Sequence, residues 1–115
     1  MLMSHENYQS CIDACQECAV ECLHCANACL QEDNVKMMAQ CIKLDQECAR
    51  ICNLAADFMA SGSEFVNEVC MVCANICDAC AQECRSHSGM EHCQSCAEAC
   101  SMCAEECRKM VHQFA

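Results

Sequence analysis

The sequence predicts an all-α protein, an up-down-up-down four-helix bundle with a cysteine-lined core. Three observations support this fold. The 115 residues suffice for one domain, and short polar stretches containing Gly62 and Gly89 separate the segments. Within the segments the 19 cysteines recur at steps of three and four, apart from one step of seven between Cys41 and Cys48. The chain also lacks proline, which would break a helix interior.

The predicted helices divide a single domain, residues 1–115, into segments at approximately 5–30, 36–60, 64–86 and 91–113. The first segment ends at Gln31-Glu32-Asp33-Asn34, where Asp33 or Asn34 can cap the second helix. The next two end at Ala60-Ser61-Gly62-Ser63 and Ser86-His87-Ser88-Gly89. Because the connections are short, we expect successive helices to be antiparallel.

Cysteine spacing places the thiols on the inner face of each helix. Alternating steps of three and four average 3.5 residues, the spacing of inward positions in a bundle, and Leu44 and Ala55 are expected to continue the stripe in the second helix. Cys-x-x-x-Cys pairs stack two thiols on one helix face. The predicted metal ligands are Cys11, Cys15, Cys18, Cys22, Cys25, Cys29, Cys41, Cys48, Cys52, Cys70, Cys73, Cys77, Cys80, Cys84, Cys93, Cys96, Cys100, Cys103 and Cys107.

Ordinary apolar side chains are too few to explain a stable core. Leu, Ile, Val and Phe occupy 18 positions and the net charge is −11, a composition typical of disordered chains. Cysteine as simple filler is a weak explanation, since Leu, Ile and Ala pack better and do not oxidise. A soft-metal site is favoured, because thiolates select Cu(I), Zn(II) and iron–sulfur clusters.

Two arguments favour many Cu(I) ions, about one per cysteine. A Cys-x-x-x-Cys pair suits an ion that accepts two ligands, whereas structural zinc requires four. One Cu(I) per thiolate is neutral, while each zinc held by four thiolates is a dianion that is costly to bury. The residues alone leave open whether Cu(I) lies in separate pairs or in thiolate-bridged clusters.

Two alternative functions remain at this stage. One is an iron–sulfur electron-transfer protein, because Cys-x-x-Cys occurs repeatedly, although the ferredoxin run of cysteines followed by proline is missing. The other is a broad soft-metal detoxification protein for Zn, Ag or Cd. Neither a Ser-His-Asp nor a Cys-His-Asn arrangement is indicated, and no glycine-rich phosphate loop is present, so we expect no enzymatic activity.

Several classes of partner and location are disfavoured. The start Met-Leu-Met-Ser-His-Glu lacks the basic and apolar regions of an export signal, so we expect a cytoplasmic protein with reduced thiols. Apolar runs fall short of the roughly 20 residues of a membrane span. The net charge of −11 would repel a phosphate backbone, so no nucleic-acid partner is expected.

The two ends of the predicted bundle differ in chemistry. The end with the first and third connections is a predicted metal entrance, where thioether and imidazole can pass Cu(I) to thiolates. The residues of this entrance are His87, His92, Met90, Met37 and Met38. The opposite end is a predicted apolar plug, formed by Phe58, Met59, Phe65, Val66, Val69, Met110, Val111 and Phe114.

Two general features are the cysteine-striped helices and the repeated Cys-x-x-x-Cys. Two specific ones are the segment Cys41-Ile42-Lys43-Leu44-Asp45-Gln46-Glu47-Cys48-Ala49-Arg50-Ile51-Cys52 and the histidine-bearing turn before Cys93-Gln94-Ser95-Cys96-Ala97. With these four features the sequence closely resembles the bacterial copper storage proteins, over essentially the whole chain. The resemblance is to the cytosolic branch, and it implies storage of many Cu(I) ions by all the inward thiols.

The same resemblance implies a histidine-lined entrance at His87 and His92 and assembly as a homotetramer. Residues off the thiol stripe are candidates for the interface or for packing within the bundle: Val20, Leu23, Met71, Val72 and Met102. The expected partners are copper ions, delivered by a copper chaperone or a small thiol.

Overall fold

Four antiparallel helices joined by short turns make up the computed structural model, which describes residues 5–114 and the side chains of residues 6–111. The helices are α1 (Gln9–Leu30), α2 (Ala39–Ala60), α3 (Val66–Arg85) and α4 (Glu91–Phe114). The predicted all-α four-helix bundle is therefore confirmed.

The first two helices begin at residues 9 and 39, a few residues later than the predicted starts near 5 and 36. Single 3₁₀ turns at His5–Tyr8 and Val35–Met38 precede α1 and α2. In the second of these turns the Met37 N–H donates to the Asn34 carbonyl at 3.2 Å. The side chain of Asn34 makes no capping hydrogen bond, so backbone contacts close this turn in place of the predicted cap.

The turn between α2 and α3 delays the start of α3 to Val66. Gly62 adopts φ +67°, a conformation that other residues rarely take, and reverses the chain after α2. The hydroxyl of Ser63 then accepts the N–H of Phe65 at 3.0 Å. Helical geometry resumes only after this side-chain contact.

The bundle is narrow and has one central seam. Helix α1 packs against α2 and α4, and α3 packs against the same two neighbours. The principal extents are 53 × 19 × 18 Å, so the seam runs along a long, thin prism. This arrangement turns the inward faces of all four helices toward one axis.

A row of buried alanines lies beside the thiol stripe on every helix. Its members recur every seven residues, and all have exposed fractions of 5% or less: Ala19, Ala26, Ala49, Ala56, Ala74, Ala81, Ala97 and Ala104. A methyl side chain at these positions lets neighbouring helices approach closely. The row therefore supports a seam narrow enough for thiols of adjacent helices to meet.

The end opposite the predicted entrance is closed by apolar side chains, largely as expected. Met59, Val66 and Met110 are buried there, together with Tyr8. The prediction that Phe65 belongs to the apolar plug is wrong, because this residue lies in the turn before α3 and is 52% exposed. Phe114 of the predicted plug has its side chain outside the described residues.

Within residues 5–114, each helix lacks the apolar length that a bilayer crossing requires.

Candidate metal centre

The central seam of the bundle is lined by thiols. All 19 cysteines are free, and each has an exposed fraction of 0%. The four inward stripes bring every one of these predicted ligands into the same seam, which we call the thiol ladder. Its side chains are enclosed by helix backbones and by the alanine row.

Sulfur–sulfur distances in the ladder are short both within and between helices. Five Cys-x-x-x-Cys pairs have Sγ–Sγ separations of 3.9 Å: 18/22, 25/29, 48/52, 73/77 and 96/100. The Sγ–Sγ contacts between helices range from 3.6 to 4.0 Å. Cys22 lies 3.6 Å from Cys100, and Cys48 lies 3.6 Å from Cys77. The thiols thus form a connected network.

Groups of four thiols within this network overlap. In each group the ligand atoms lie within 4.8 Å of one another, as in Cys18/Cys48/Cys52/Cys77 and Cys18/Cys22/Cys48/Cys100. Cys18 and Cys48 belong to both groups. Two isolated four-coordinate ions cannot fill these groups together, so the arrangement favours ions that share bridging thiolates.

The sulfur spacing also bears on coordination number. With metal–sulfur bonds of about 2.3 Å, two sulfurs lie about 3.8 Å apart around a tetrahedral ion, about 4.0 Å around a trigonal ion and about 4.6 Å across a linear ion. The observed contacts of 3.6–4.0 Å match the first two geometries. Isolated linear pairs, one of the two arrangements that the sequence leaves open, require the thiols to move apart.

A carboxylate, Asp45, lies inside the ladder with an exposed fraction of 0%. Its Oδ1 is 3.1 Å from the Cys80 Sγ and 3.3 Å from the Cys96 Sγ, and both thiols donate to it. Burial raises the pKa of Asp45, while these S–H donors act in the opposite direction. The sequence interpretation missed this residue and assigned its place to Leu44, which is only partly buried.

At the predicted entrance, the structure brings His92 into contact with thiols. Its Nδ1 lies 3.5 Å from the Cys93 Sγ, 3.6 Å from Cys25 and 4.0 Å from Cys29. These ligand atoms form another group within 4.8 Å of one another. The ring Nε2 lies 3.0 Å from Oε2 of Glu32, a residue that the sequence interpretation also missed.

The other predicted entrance residues are placed differently. His87 pairs through Nε2 with Glu83 Oε2 at 2.9 Å and has no thiol within hydrogen-bonding distance among the described side chains. Met38 is buried with an exposed fraction of 1%, Met37 is 66% exposed, and Met90 packs partly buried against the core. Among the described residues of this set, His92 places a ring nitrogen within 4.0 Å of three ladder thiols.

His92 also forms part of the wall of an open cleft between α1 and α4. The cleft has a volume of about 480 Å³ and is lined by Glu21, His24, Ala28, Glu91, His92 and Ser95. His92 therefore lies both in the wall of an open surface cleft and at the end of the thiol ladder.

The thiols beside His92 resist ionisation. Burial raises the pKa of Cys29 to about 11. Burial also raises the pKa of Cys93, with further increases from Cys25 and Cys41. A cation that binds here must displace protons, because thiolates rather than thiols are the metal ligands.

Comparison with known proteins agrees with this geometry. The chain matches the model of the family described as copper storage protein over residues 4–112. It is 48% identical to the Cu(I)-bound copper storage protein BsCsp3, with a TM-score of 0.85 and coverage of 90% of this chain and 96% of that one. No curated protein sequence matches the chain.

Two further solved structures are similar. Apo copper storage protein 3 from Bacillus subtilis is 47% identical, with a TM-score of 0.82 and coverage of 90% of this chain and 97% of that one. A cytosolic copper storage protein from Streptomyces lividans, with five coppers, is 36% identical, with a TM-score of 0.92 and coverage of 96% and 97%. A cysteine-lined seam, a family match over nearly the whole sequence and these solved relatives together show that the chain belongs to the copper storage protein family.

Proposed function

We propose that the protein is a cytoplasmic store that holds about one Cu(I) per cysteine in the thiol ladder. The observation that carries this proposal is the continuity of the ladder, in which all 19 thiols are buried and neighbouring four-thiol groups share members. Shared thiolates suit a monovalent soft ion, because each added Cu(I) balances one thiolate charge. The role is storage rather than catalysis.

The relatives support copper as the cargo. One similar structure is a Cu(I)-bound copper storage protein, and the protein from Streptomyces lividans has been observed with five coppers and with ten copper equivalents. Partial loading in a relative is consistent with a store that fills progressively. A cytosolic relative likewise supports the cytoplasm as the location.

A titration tests the capacity directly. Fully reduced protein is titrated with Cu(I) without oxygen, desalted in the presence of a competing chelator, and assayed for retained copper per chain. We expect about 19 ions, because neutral loading needs one ion for each of the 19 thiolates. Zn(II), Ag(I), Cd(II), and iron together with sulfide, loaded in the same way, are the controls.

Other outcomes of this titration contradict the proposal in distinct ways. Retention of only one to a few copper ions would indicate a discrete site rather than a store. Tighter retention of Zn(II), Ag(I) or Cd(II) would favour a detoxification protein. A brown protein after loading with iron and sulfide would favour iron–sulfur clusters, since thiolate-bound Cu(I) is colourless.

We propose that Cu(I) enters at the end of the bundle that carries His92. The support is the imidazole Nδ1 within 3.6 Å of Cys25 and the adjoining surface cleft. His87, Met90, Met37 and Met38 remain proposed contributors at the same end, where weaker ligands can hand the ion to thiolates. The donor would be a copper chaperone or a small thiol.

We also propose the homotetramer that the family resemblance implies. The off-stripe residues do not complete the packing of the bundle, because they are exposed: Val20 by 65%, Leu23 by 53%, Met71 by 42%, Val72 by 47% and Met102 by 63%. Several helices thus expose large apolar side chains at their surfaces, which is consistent with burial of these side chains against other copies of the chain. Light scattering of the purified protein measures the oligomeric state.

A further inference from the structure

The contact between Glu32 and His92 joins two distant parts of the chain above the end of the ladder. Glu32 lies in the turn after α1, and its backbone N–H donates to the Cys29 carbonyl at 3.2 Å. Its carboxylate reaches the first turn of α4, where Oε2 is 3.0 Å from His92 Nε2. Glu32 is thereby anchored to the turn of α1 that carries one of the terminal thiols.

This contact determines which nitrogen of His92 carries the proton. An ionised carboxylate can only accept hydrogen bonds, so His92 Nε2 must donate to Glu32. In the neutral ring Nδ1 then carries a lone pair and faces Cys25, Cys29 and Cys93 at 3.5–4.0 Å. The ring is held in the tautomer and orientation that a metal ligand at Nδ1 requires.

We propose that Glu32 is a positioning residue for copper uptake, which fixes the His92 ring so that Nδ1 and the thiols of Cys25, Cys29 and Cys93 form the receiving site for Cu(I). This inference rests on the proposed storage function. Carboxylates that hold the second ring nitrogen of a metal-binding histidine commonly contribute 10- to 100-fold to metal affinity or activity.

The pair Glu83–His87 is a matched control within the same end of the bundle. It has the same geometry, with Nε2 to Oε2 at 2.9 Å, and its histidine side chain is similarly shielded, 11% exposed against 15% for His92. His87, however, contacts no thiol among the described side chains. Glu83→Gln removes the same charge and weakens the same kind of hydrogen bond without changing a residue of the proposed receiving site.

The experiment compares Glu32→Gln, Glu83→Gln, His92→Ala and the double variant Glu32→Gln/His92→Ala. In reduced apoprotein, ¹⁵N NMR of the imidazole ring reports the tautomer of His92. Stopped-flow transfer from a coloured Cu(I)–chelator complex measures the uptake rate, and the retained copper gives the capacity. Unchanged capacity and helical circular dichroism show that a variant has folded.

We expect Glu32→Gln to mix the two tautomers of His92 and to slow uptake about 10-fold or more, with the capacity unchanged. Glu83→Gln should slow uptake much less than Glu32→Gln, because its partner His87 contacts no ladder thiol among the described side chains. In the His92→Ala background, Glu32→Gln should have no further effect, because its role is exerted through the imidazole.

Three results would overturn the inference: a wild-type uptake rate in Glu32→Gln, an unaltered tautomer, or equal slowing by Glu32→Gln with and without His92. The last result would mean that the carboxylate attracts the cation by charge alone. These outcomes differ from failure of the proposed storage function, which would appear as a low copper capacity in the wild-type protein.

Discussion

Asp45 places an acidic group at a position where the ladder otherwise has sulfur. Among the described residues, it is the polar side chain that the core encloses completely. Thiols of Cys80 and Cys96 donate to its Oδ1, and among the described side chains no cation pairs with this carboxylate. An ionised group in such surroundings destabilises the apoprotein, because weak S–H donors replace water only in part.

We therefore predict that Asp45→Asn stabilises the reduced apoprotein near neutral pH. The folded pKa of Asp45 is raised by burial, so its contribution to stability is greatest below the unfolded pKa and is lost as the pH rises through the folded pKa. The gain should amount to about 1.4 kcal/mol for each unit by which the folded pKa exceeds the unfolded one, and should shrink toward pH 4. Urea denaturation with reductant between pH 4.5 and 8 measures it.

The exposed Asp57 on the same helix provides the control for this prediction. Asp57→Asn should leave the free energy of unfolding within about 0.5 kcal/mol of wild type at every pH. A destabilised Asp45→Asn protein across the whole pH range would show that the carboxylate is a net stabilising acceptor for its thiol neighbours.

At the scale of single residues, the sequence was a reliable guide to the thiols and a poor one to their polar companions. Helical periodicity alone places every cysteine inward. The same periodicity also places Asp45 on the inward stripe, because it lies four residues after Cys41 and three before Cys48. Hydropathy, however, favours the neighbouring Leu44 for this inward position. Glu32 could not be found this way, because its partner His92 lies 60 residues away and the contact depends on how a turn meets α4.

At the scale of the helix, the alanine row is as regular as the thiol stripe. Seven of its members directly follow a cysteine, and Ala56 follows Ala55, which occupies a stripe position and has an exposed fraction of 0%. The repeat of seven residues keeps these methyl groups at the contact with a neighbouring helix. The helices thus use cysteine for the seam and alanine for their mutual approach, which leaves little room for larger side chains.

We predict that Ala74→Leu, in the middle of the alanine row of α3, destabilises the apoprotein by about 1–3 kcal/mol, because added methylenes force packed helices apart. Ala74 has an exposed fraction of 0%. Ala79→Leu, at an exposed position of the same helix, is the matched control and should change stability by about 0.5 kcal/mol or less. Thermal denaturation followed by circular dichroism compares them. Equal stability of the two variants would mean that the row is not a close helix contact.

At the scale of the whole molecule, topology decides which thiols meet. Cysteine spacing predicts the pairs within a helix, but contacts such as Cys15–Cys103 at 3.6 Å depend on how antiparallel neighbours are staggered. Burial acts against ionisation of each of these thiols, and an empty ladder with all its thiols protonated carries no charge on sulfur. Replacing each thiol proton by one Cu(I) keeps it neutral, so the net charge of −11 is carried by groups outside the cysteines and need not change on filling.

This exchange predicts how loading depends on pH. Each Cu(I) that binds should release about one proton. The apparent affinity for Cu(I) at a given pH should therefore rise about tenfold per pH unit, as long as the thiols of the apoprotein remain protonated. For Cys29 that range extends to about pH 11, the value to which burial raises its pKa. Proton release in weak buffer and chelator competition at pH 6, 7 and 8 measure both quantities.

Native electrophoresis provides the control for this exchange. Cu(I)-loaded protein should migrate with the apoprotein, because the exchange leaves the net charge unchanged. Zn(II), in contrast, should increase the negative charge by about two for each ion held by four thiolates, and so should speed migration. Copper uptake that releases no protons and is independent of pH would show that the ions bind to groups other than the buried thiols.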